Sequence, residues 1–135
     1  KEVTMTVIMQ IVAPFTPQEQ EFLSDIITTA VEGGIGYWSQ VDSYEWSPLD
    51  LDQADWKPTT VVVYDTEEDG ENAEPMPLDI AKVAEGINRL VQGWPDTMVT
   101  KDTLSGLATL DSGEIDSDAA DAIVQCALLG EMVYG

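Results

Sequence analysis

Carboxylates are the side chains in this sequence with the widest capacity for chemistry. Its 135 residues include 26 Asp and Glu, 5 Lys and Arg and no His, for a formal net charge of -21. Without His, Ser-His-Asp and Cys-His catalysis and His-ligated zinc or iron are excluded. Paired carboxylates alone can hydrolyse glycosides, but these carboxylates fall mainly in predicted loops and define no pair. We therefore expect a protein that is not an enzyme and that needs no cofactor or metal.

The carboxylates form three clusters, within residues 42–55, 65–74 and 111–121. We expect the clusters at 65–74 and 42–55 to contact a partner. The expected contact residues are Asp65, Glu67, Glu68, Asp69, Glu71 and Glu74, together with Asp50, Asp52 and Asp55. The side chains in the segment 66–75, called the acidic turn below, should contribute most to partner binding, because an exposed turn can enter a groove of the partner. Of these, we expect the largest contribution from the residues at 67, 68, 69 and 71.

The net charge lowers stability through self-repulsion, a cost that stays unexplained unless the negative field has a use. High salt would screen the repulsion between the carboxylates, since the Debye length is roughly 3 Å at molar ionic strength. A calcium loop beginning at Asp65 would need Glu at its twelfth position, where the sequence has Met76, so an EF-hand is not expected. The other use is a basic partner, and adaptation to high salt stays open beside it. Duplex DNA carries one charge per about 1.7 Å of axis, a density that a small, strongly acidic protein can approach.

The first function hypothesis is therefore DNA mimicry: inhibition of a basic protein that normally binds nucleic acid. Five basic residues cannot neutralise a phosphate backbone, so direct nucleic-acid binding is not expected. The alternative uses the aromatic side chains, which are concentrated between residues 37 and 56. They could line a pocket that stacks a nucleotide-like signal, or they could be core residues. The alternative ligand-binding residues are Tyr37, Trp38, Tyr44, Trp46 and Arg89, the last as a phosphate contact.

Hydrophobic periodicity and capping signals predict the elements that position these residues. The predicted strands cover 3–13, 35–47 with a bulge near Ser39, 59–65 and 76–78; the predicted helices run from Thr16 to Gly33–Gly34, from Asp79 to Gly93, over 103–110 and from 116–117 to 133. Hairpin-connected strands and helices predict a single α+β domain. It would have a small, mostly antiparallel sheet and helices packed on one face.

The lengths of the apolar runs, the pattern of the first residues and the single cysteine bear on compartment and membrane attachment. The apolar runs are far shorter than the roughly 20 residues that span a bilayer. The apolar stretch from Val3 to Pro14 alternates like a strand and has no small-residue cleavage site, so a signal peptide is not expected. The single cysteine, Cys126, lies in an apolar run and should be a buried small hydrophobe. We expect a cytosolic protein with no membrane partner; its oligomeric state stays open.

Three segments resemble a family of small, mostly uncharacterised acidic proteins of tailed bacteriophages, mainly those of actinobacteria. They are TTAVEGGIGYWSQVDSYEW at 28–46, LDIAKVAEGINRL at 78–90 and DAADAIVQCALLGEMVYG at 118–135. The resemblance implies a phage-encoded protein of the host cytosol with no assigned chemistry. Because acidic DNA mimics are a known phage strategy, it also favours an inhibitor of a host defence enzyme. A phage structural or assembly protein is a further alternative.

Overall fold

The computed structural model describes residues 11–47, 57–68, 70–93 and 100–135, apart from the side chains of Trp46, Ser47 and Glu71. A three-stranded antiparallel sheet with helices packed against it confirms the α+β prediction. The predicted strand over 3–13 lies largely outside the described residues. The elements are α1 (Pro17–Thr29), a π-helical turn (Ala30–Gly34), β1 (Ser39–Ser47), β2 (Lys57–Asp65), a 3-10 turn (Gly70–Asn72), β3 (Met76–Asp79), α2 (Ile80–Gly93), α3 (Lys101–Thr109), a second 3-10 turn (Ser112–Glu114) and α4 (Ser117–Leu129).

Helix α1 begins as the sequence predicts. The Thr16 hydroxyl accepts from the Glu19 amide at 3.0 Å, and the Glu19 carboxylate accepts from the Thr16 amide at 2.9 Å, which completes a capping box. The helix then widens into the π-helical turn, which ends at Gly34, where the sequence predicts the helix to stop. A Cβ on Gly34 would lie 2.8 Å from the Ser117 carbonyl oxygen. Glycine at this position therefore lets the turn approach the start of α4.

Strand β2 is the centre of the sheet and pairs with β1 and β3. Its inward side chains, Val61 and Val63, are fully buried. The bulge of β1 lies between Asp42 and Glu45, where Ser43 has a φ of 55°. The predicted bulge near Ser39 was therefore placed too early. Strand β3 lies at the edge of the described sheet, a position where proline is tolerated, and Pro77 is exposed there.

Helices α2 and α4 cross at close range and form much of the core. A Cβ on Gly86 would collide with the Ile123 carbonyl oxygen and would lie 2.9 Å from the Ala127 Cβ. At Gly36, by contrast, no atom lies within 4 Å of a Cβ built there. The burial of Cys126 in α4 is confirmed.

Helix α4 ends at Leu129, four residues earlier than predicted, and this shorter length changes the path of the C-terminal residues. Gly130 follows with a φ of 88°, a left-handed conformation that glycine adopts without strain. The chain then turns back along α4 as far as Tyr134. Among the described residues, no helix is both long and apolar enough to cross a membrane.

Candidate functional site

The acidic turn follows β2 directly and is one of the exposed acidic segments that the structure describes. Glu67, Glu68 and Glu74 are exposed. The described ion pairs lie elsewhere: Lys57 contacts Glu21 and Asp25, and both Lys82 and Arg89 contact Glu85. The three exposed carboxylates thus have no cationic partner among the described residues, and their charge faces solvent.

Asp65, at the base of the acidic turn, is buried, although the sequence predicts that it contacts a partner. One of its carboxylate oxygens accepts from the backbone amides of Glu67 and Glu68, both at 3.1 Å. The Tyr134 hydroxyl donates to the same carboxylate at 2.8 and 3.0 Å. Asp65 is therefore an anchor inside the protein, and the prediction that it contacts a partner is corrected. Burial follows from the even spacing of Val61, Val63 and Asp65 along β2, which directs all three inward.

Tyr134 connects the C-terminal residues to the acidic turn. Its ring stacks on Trp38, with centroids 5.5 Å apart and an interplanar angle of 21°. Burial, the hydrogen bond to Asp65 and the nearby negative charges raise the pKa of Tyr134 to about 12. The hydroxyl therefore keeps its proton at neutral pH and remains a donor to the Asp65 carboxylate.

Asp121 is a second buried carboxylate without a cation among the described residues. It accepts from the Trp38 indole at 2.8 Å, from the Tyr37 hydroxyl at 2.6 Å and from the Gln125 amide at 2.9 Å. These three donors satisfy a charge that would otherwise be costly to bury. Partial burial and the hydrogen bond to Asp121 raise the pKa of Tyr37 to about 12.

Gln125, one turn after Asp121, holds the returning chain against α4. Its side-chain oxygen accepts from the amides of Val133 and Tyr134, both at 2.8 Å, and its nitrogen donates to the Tyr134 carbonyl at 3.1 Å. The side chain is fully buried, so these bonds replace those that water would make. Gln125 and Tyr134 are not among the residues predicted from the sequence. The signal in the sequence was that Asp121 and Gln125 are polar, lie four positions apart and interrupt an apolar stretch of α4.

The aromatic pocket of the alternative hypothesis is not formed as predicted. Trp38 is fully buried, with its indole donor committed to Asp121, so it is a core residue. Arg89 donates to the carbonyls of Cys126 and Ala127 near the end of α4, at 2.7 and 3.4 Å, where a cation complements the helix dipole. These contacts commit Arg89 to α4, and none joins it to the aromatic residues.

Other predicted site residues vary in their placement. Tyr37 is 53% exposed and Tyr44 is 45% exposed. Asp69, Asp50, Asp52 and Asp55, together with the side chains of Glu71 and Trp46, lie outside the described residues. Over the described part of the chain, no group of three or more His, Cys, Asp or Glu could hold a metal ion.

A shallow polar cavity of about 270 Å³ lies beside the acidic turn. Gln40 and Asp42 of β1, together with Tyr64 of β2, form its floor. Gln40 and Tyr64 are directly paired across the strands, on the face of the sheet opposite the buried valines. The wall is formed by Thr66, Gly70 and Ala73. The cavity therefore joins the outer face of the sheet to the acidic turn.

Comparison with protein-family models, curated proteins and solved structures finds no match for this chain.

Proposed function

We propose that this protein is a non-catalytic inhibitor that binds a basic, normally nucleic-acid-binding host enzyme by mimicking the charge of DNA. The observation that carries the proposal is the exposed acidic turn, whose carboxylates have no cationic partner in the described chain while its base is hydrogen-bonded internally. The resemblance to phage proteins favours a host defence enzyme as the target.

The anchoring of the turn supports a binding role. Asp65 fixes the amides of Glu67 and Glu68, and Tyr134 in turn fixes Asp65. A turn held in one conformation loses less conformational entropy when a partner binds than a mobile one does. The two exposed glutamates are thus presented from a preorganised base, as phosphates are presented from a stiff duplex.

The distribution of the cations also supports this role. Lys57 is paired with carboxylates of α1, and Arg89 is occupied near the end of α4. Neither of these two cations contacts a carboxylate of the acidic turn. A field of one sign on one surface accelerates encounter with an oppositely charged surface and disfavours approach to nucleic acid itself.

The ligand-binding alternative has weaker support because Trp38 is a core residue and Arg89 is committed to α4. Titration of nucleotides and cyclic nucleotides against tryptophan fluorescence distinguishes this alternative from mimicry. Saturable quenching would favour a ligand-binding module. The further alternative, a structural or assembly protein, requires that the chain be present in purified virions.

Affinity capture tests the proposal. The immobilised protein is incubated with a nuclease-treated actinobacterial lysate, and bound proteins are eluted first with random-sequence duplex DNA and then with salt. We expect a basic, nucleic-acid-binding protein in the DNA eluate, with retention that falls steeply as salt rises. Bound proteins that DNA fails to displace would contradict mimicry, since a mimic and DNA must compete for one surface.

A further inference from the structure

We propose that the cavity beside the acidic turn is a binding site for an arginine side chain of the partner. Asp42, Gln40 and Tyr64 line the cavity together. This inference rests on the proposed function, because it names the group through which a basic partner would be recognised.

Asp42 supplies the charge that a cation needs. Its Oδ1 accepts from the Ser43 amide at 2.8 Å, a contact that fixes the carboxylate at the bulge of β1. A carboxylate has about four lone-pair sites, so this bond leaves capacity for a guanidinium group. Gln40, two residues earlier on the same face of β1, adds a carbonyl oxygen as a second acceptor.

Tyr64 favours arginine over lysine. It is half-buried and lies directly opposite Gln40 in the hydrogen-bond register of β1 and β2. A planar guanidinium can stack on a tyrosine ring while its fork of donors reaches a neighbouring carboxylate, whereas an ammonium is a compact, strongly hydrated charge. A volume of about 270 Å³ accommodates the flat group and part of its aliphatic stem.

The surrounding charge argues against an anionic occupant. Glu67 and Glu68 are exposed on the turn that borders the cavity. Their field disfavours a phosphate or a carboxylate and attracts a cation. The same field gives long-range attraction, and the cavity would add a short-range, geometry-dependent contact.

The test compares oligoarginine and oligolysine peptides of equal length, with binding measured by calorimetry and by amide chemical shifts. We expect tighter binding of oligoarginine, with shifts centred on Gln40, Asp42 and Tyr64. Asp42→Asn keeps the acceptor for the Ser43 amide and should weaken oligoarginine binding about tenfold, as expected for loss of one charge-assisted hydrogen bond. Glu45→Gln, on the same strand, removes the same charge outside the cavity and should change affinity less than about twofold.

A second variant keeps the inference falsifiable if Asp42→Asn perturbs the bulge. Tyr64→Val retains a residue suited to a strand but removes the ring, and it should abolish the preference for oligoarginine over oligolysine. Equal binding of the two peptides by the unmodified protein, or equal effects of Asp42→Asn and Glu45→Gln, would overturn the arginine site.

The outcomes separate this inference from the proposed function. If DNA-displaceable capture depends on Glu67 and Glu68 but neither cavity variant alters peptide binding, the arginine site fails and mimicry stands. If the cavity binds oligoarginine as described but the protein captures nothing that DNA displaces, mimicry fails and the site stands.

Discussion

Asp65 and Tyr134, 69 positions apart in the sequence, are joined by hydrogen bonds of 2.8 and 3.0 Å from the tyrosine hydroxyl to the two carboxylate oxygens. The contact ties the end of β2 to the C-terminal residues that fold back along α4. Because Asp65 also accepts the amides of Glu67 and Glu68, the same contact supports the acidic turn. One buried acid therefore positions two exposed ones.

Removal of the Tyr134 hydroxyl should lower stability. Tyr134→Phe keeps the ring that stacks on Trp38 but deprives Asp65 of a donor. We expect a lower free energy of unfolding, because a donor to a buried carboxylate is lost. Denaturant titration measures it, with Tyr64→Phe as control, since the described contacts of Tyr64 include no hydrogen bond from its hydroxyl. Equal stability of Tyr134→Phe and the unmodified protein would show that the hydroxyl contact contributes nothing.

Alkaline pH should destabilise the protein. Tyr37 and Tyr134 each have a pKa raised to about 12, against about 10 in an unfolded chain. The unfolded state therefore loses these protons first, so stability is retained below pH 10 and falls as pH rises from about 10 to about 12. The measurement is the free energy of unfolding along that range. The double variant Tyr37→Phe/Tyr134→Phe should show a shallower decline, and an unchanged slope would contradict the assignment.

The crossing of α2 and α4 should not tolerate a side chain at residue 86. Gly86→Ala places a methyl group against the Ile123 carbonyl and the Ala127 side chain. Strain from overpacking should destabilise the protein by about 2 kcal/mol. Gly36→Ala is the matched control, because no atom lies within 4 Å of a Cβ built there, and it should be neutral or slightly stabilising. The melting temperatures of the two variants test this prediction. An equal change in melting temperature for both would contradict the close crossing of α2 and α4.

Salt should stabilise the isolated protein. With a net charge of -21, screening relieves repulsion as the Debye length falls from about 10 Å at 0.1 M to about 3 Å at 1 M. We expect the melting temperature to rise across a salt series in a non-binding salt. Melting that ignores salt would show that the carboxylates are spread too widely to repel one another. A chain that fails to fold near 0.1 M would indicate adaptation to high salt.

Local signals in the sequence were sufficient for much of the fold. The capping box at Thr16 and Glu19 predicted the start of α1, and the β-branched run at 59–65 predicted strand β2. These features depend on neighbouring residues alone, so a single sequence reveals them. The exposure of Glu67 likewise followed from its place in a polar turn.

Long-range contacts could not be predicted in the same way. Trp38 seemed available to a ligand because aromatic composition does not reveal that Asp121 and Tyr134 lie beside it. Asp65 seemed equivalent to the acids that follow it, although strand parity turns it inward. The role of Gln125 depends on a chain reversal at Gly130, which brings residues 133 and 134 within hydrogen-bond distance.

The most direct test of DNA mimicry compares two charge-reversed variants with the same net charge. Glu67→Lys/Glu68→Lys reverses the acidic turn, and Glu32→Lys/Glu131→Lys reverses two exposed acids elsewhere. Both are added to a captured host enzyme, and its binding to labelled duplex DNA is measured by fluorescence anisotropy. The account predicts that the unmodified protein and the Glu32/Glu131 variant displace the DNA, whereas the Glu67/Glu68 variant does not. Equal displacement by the two variants would contradict it.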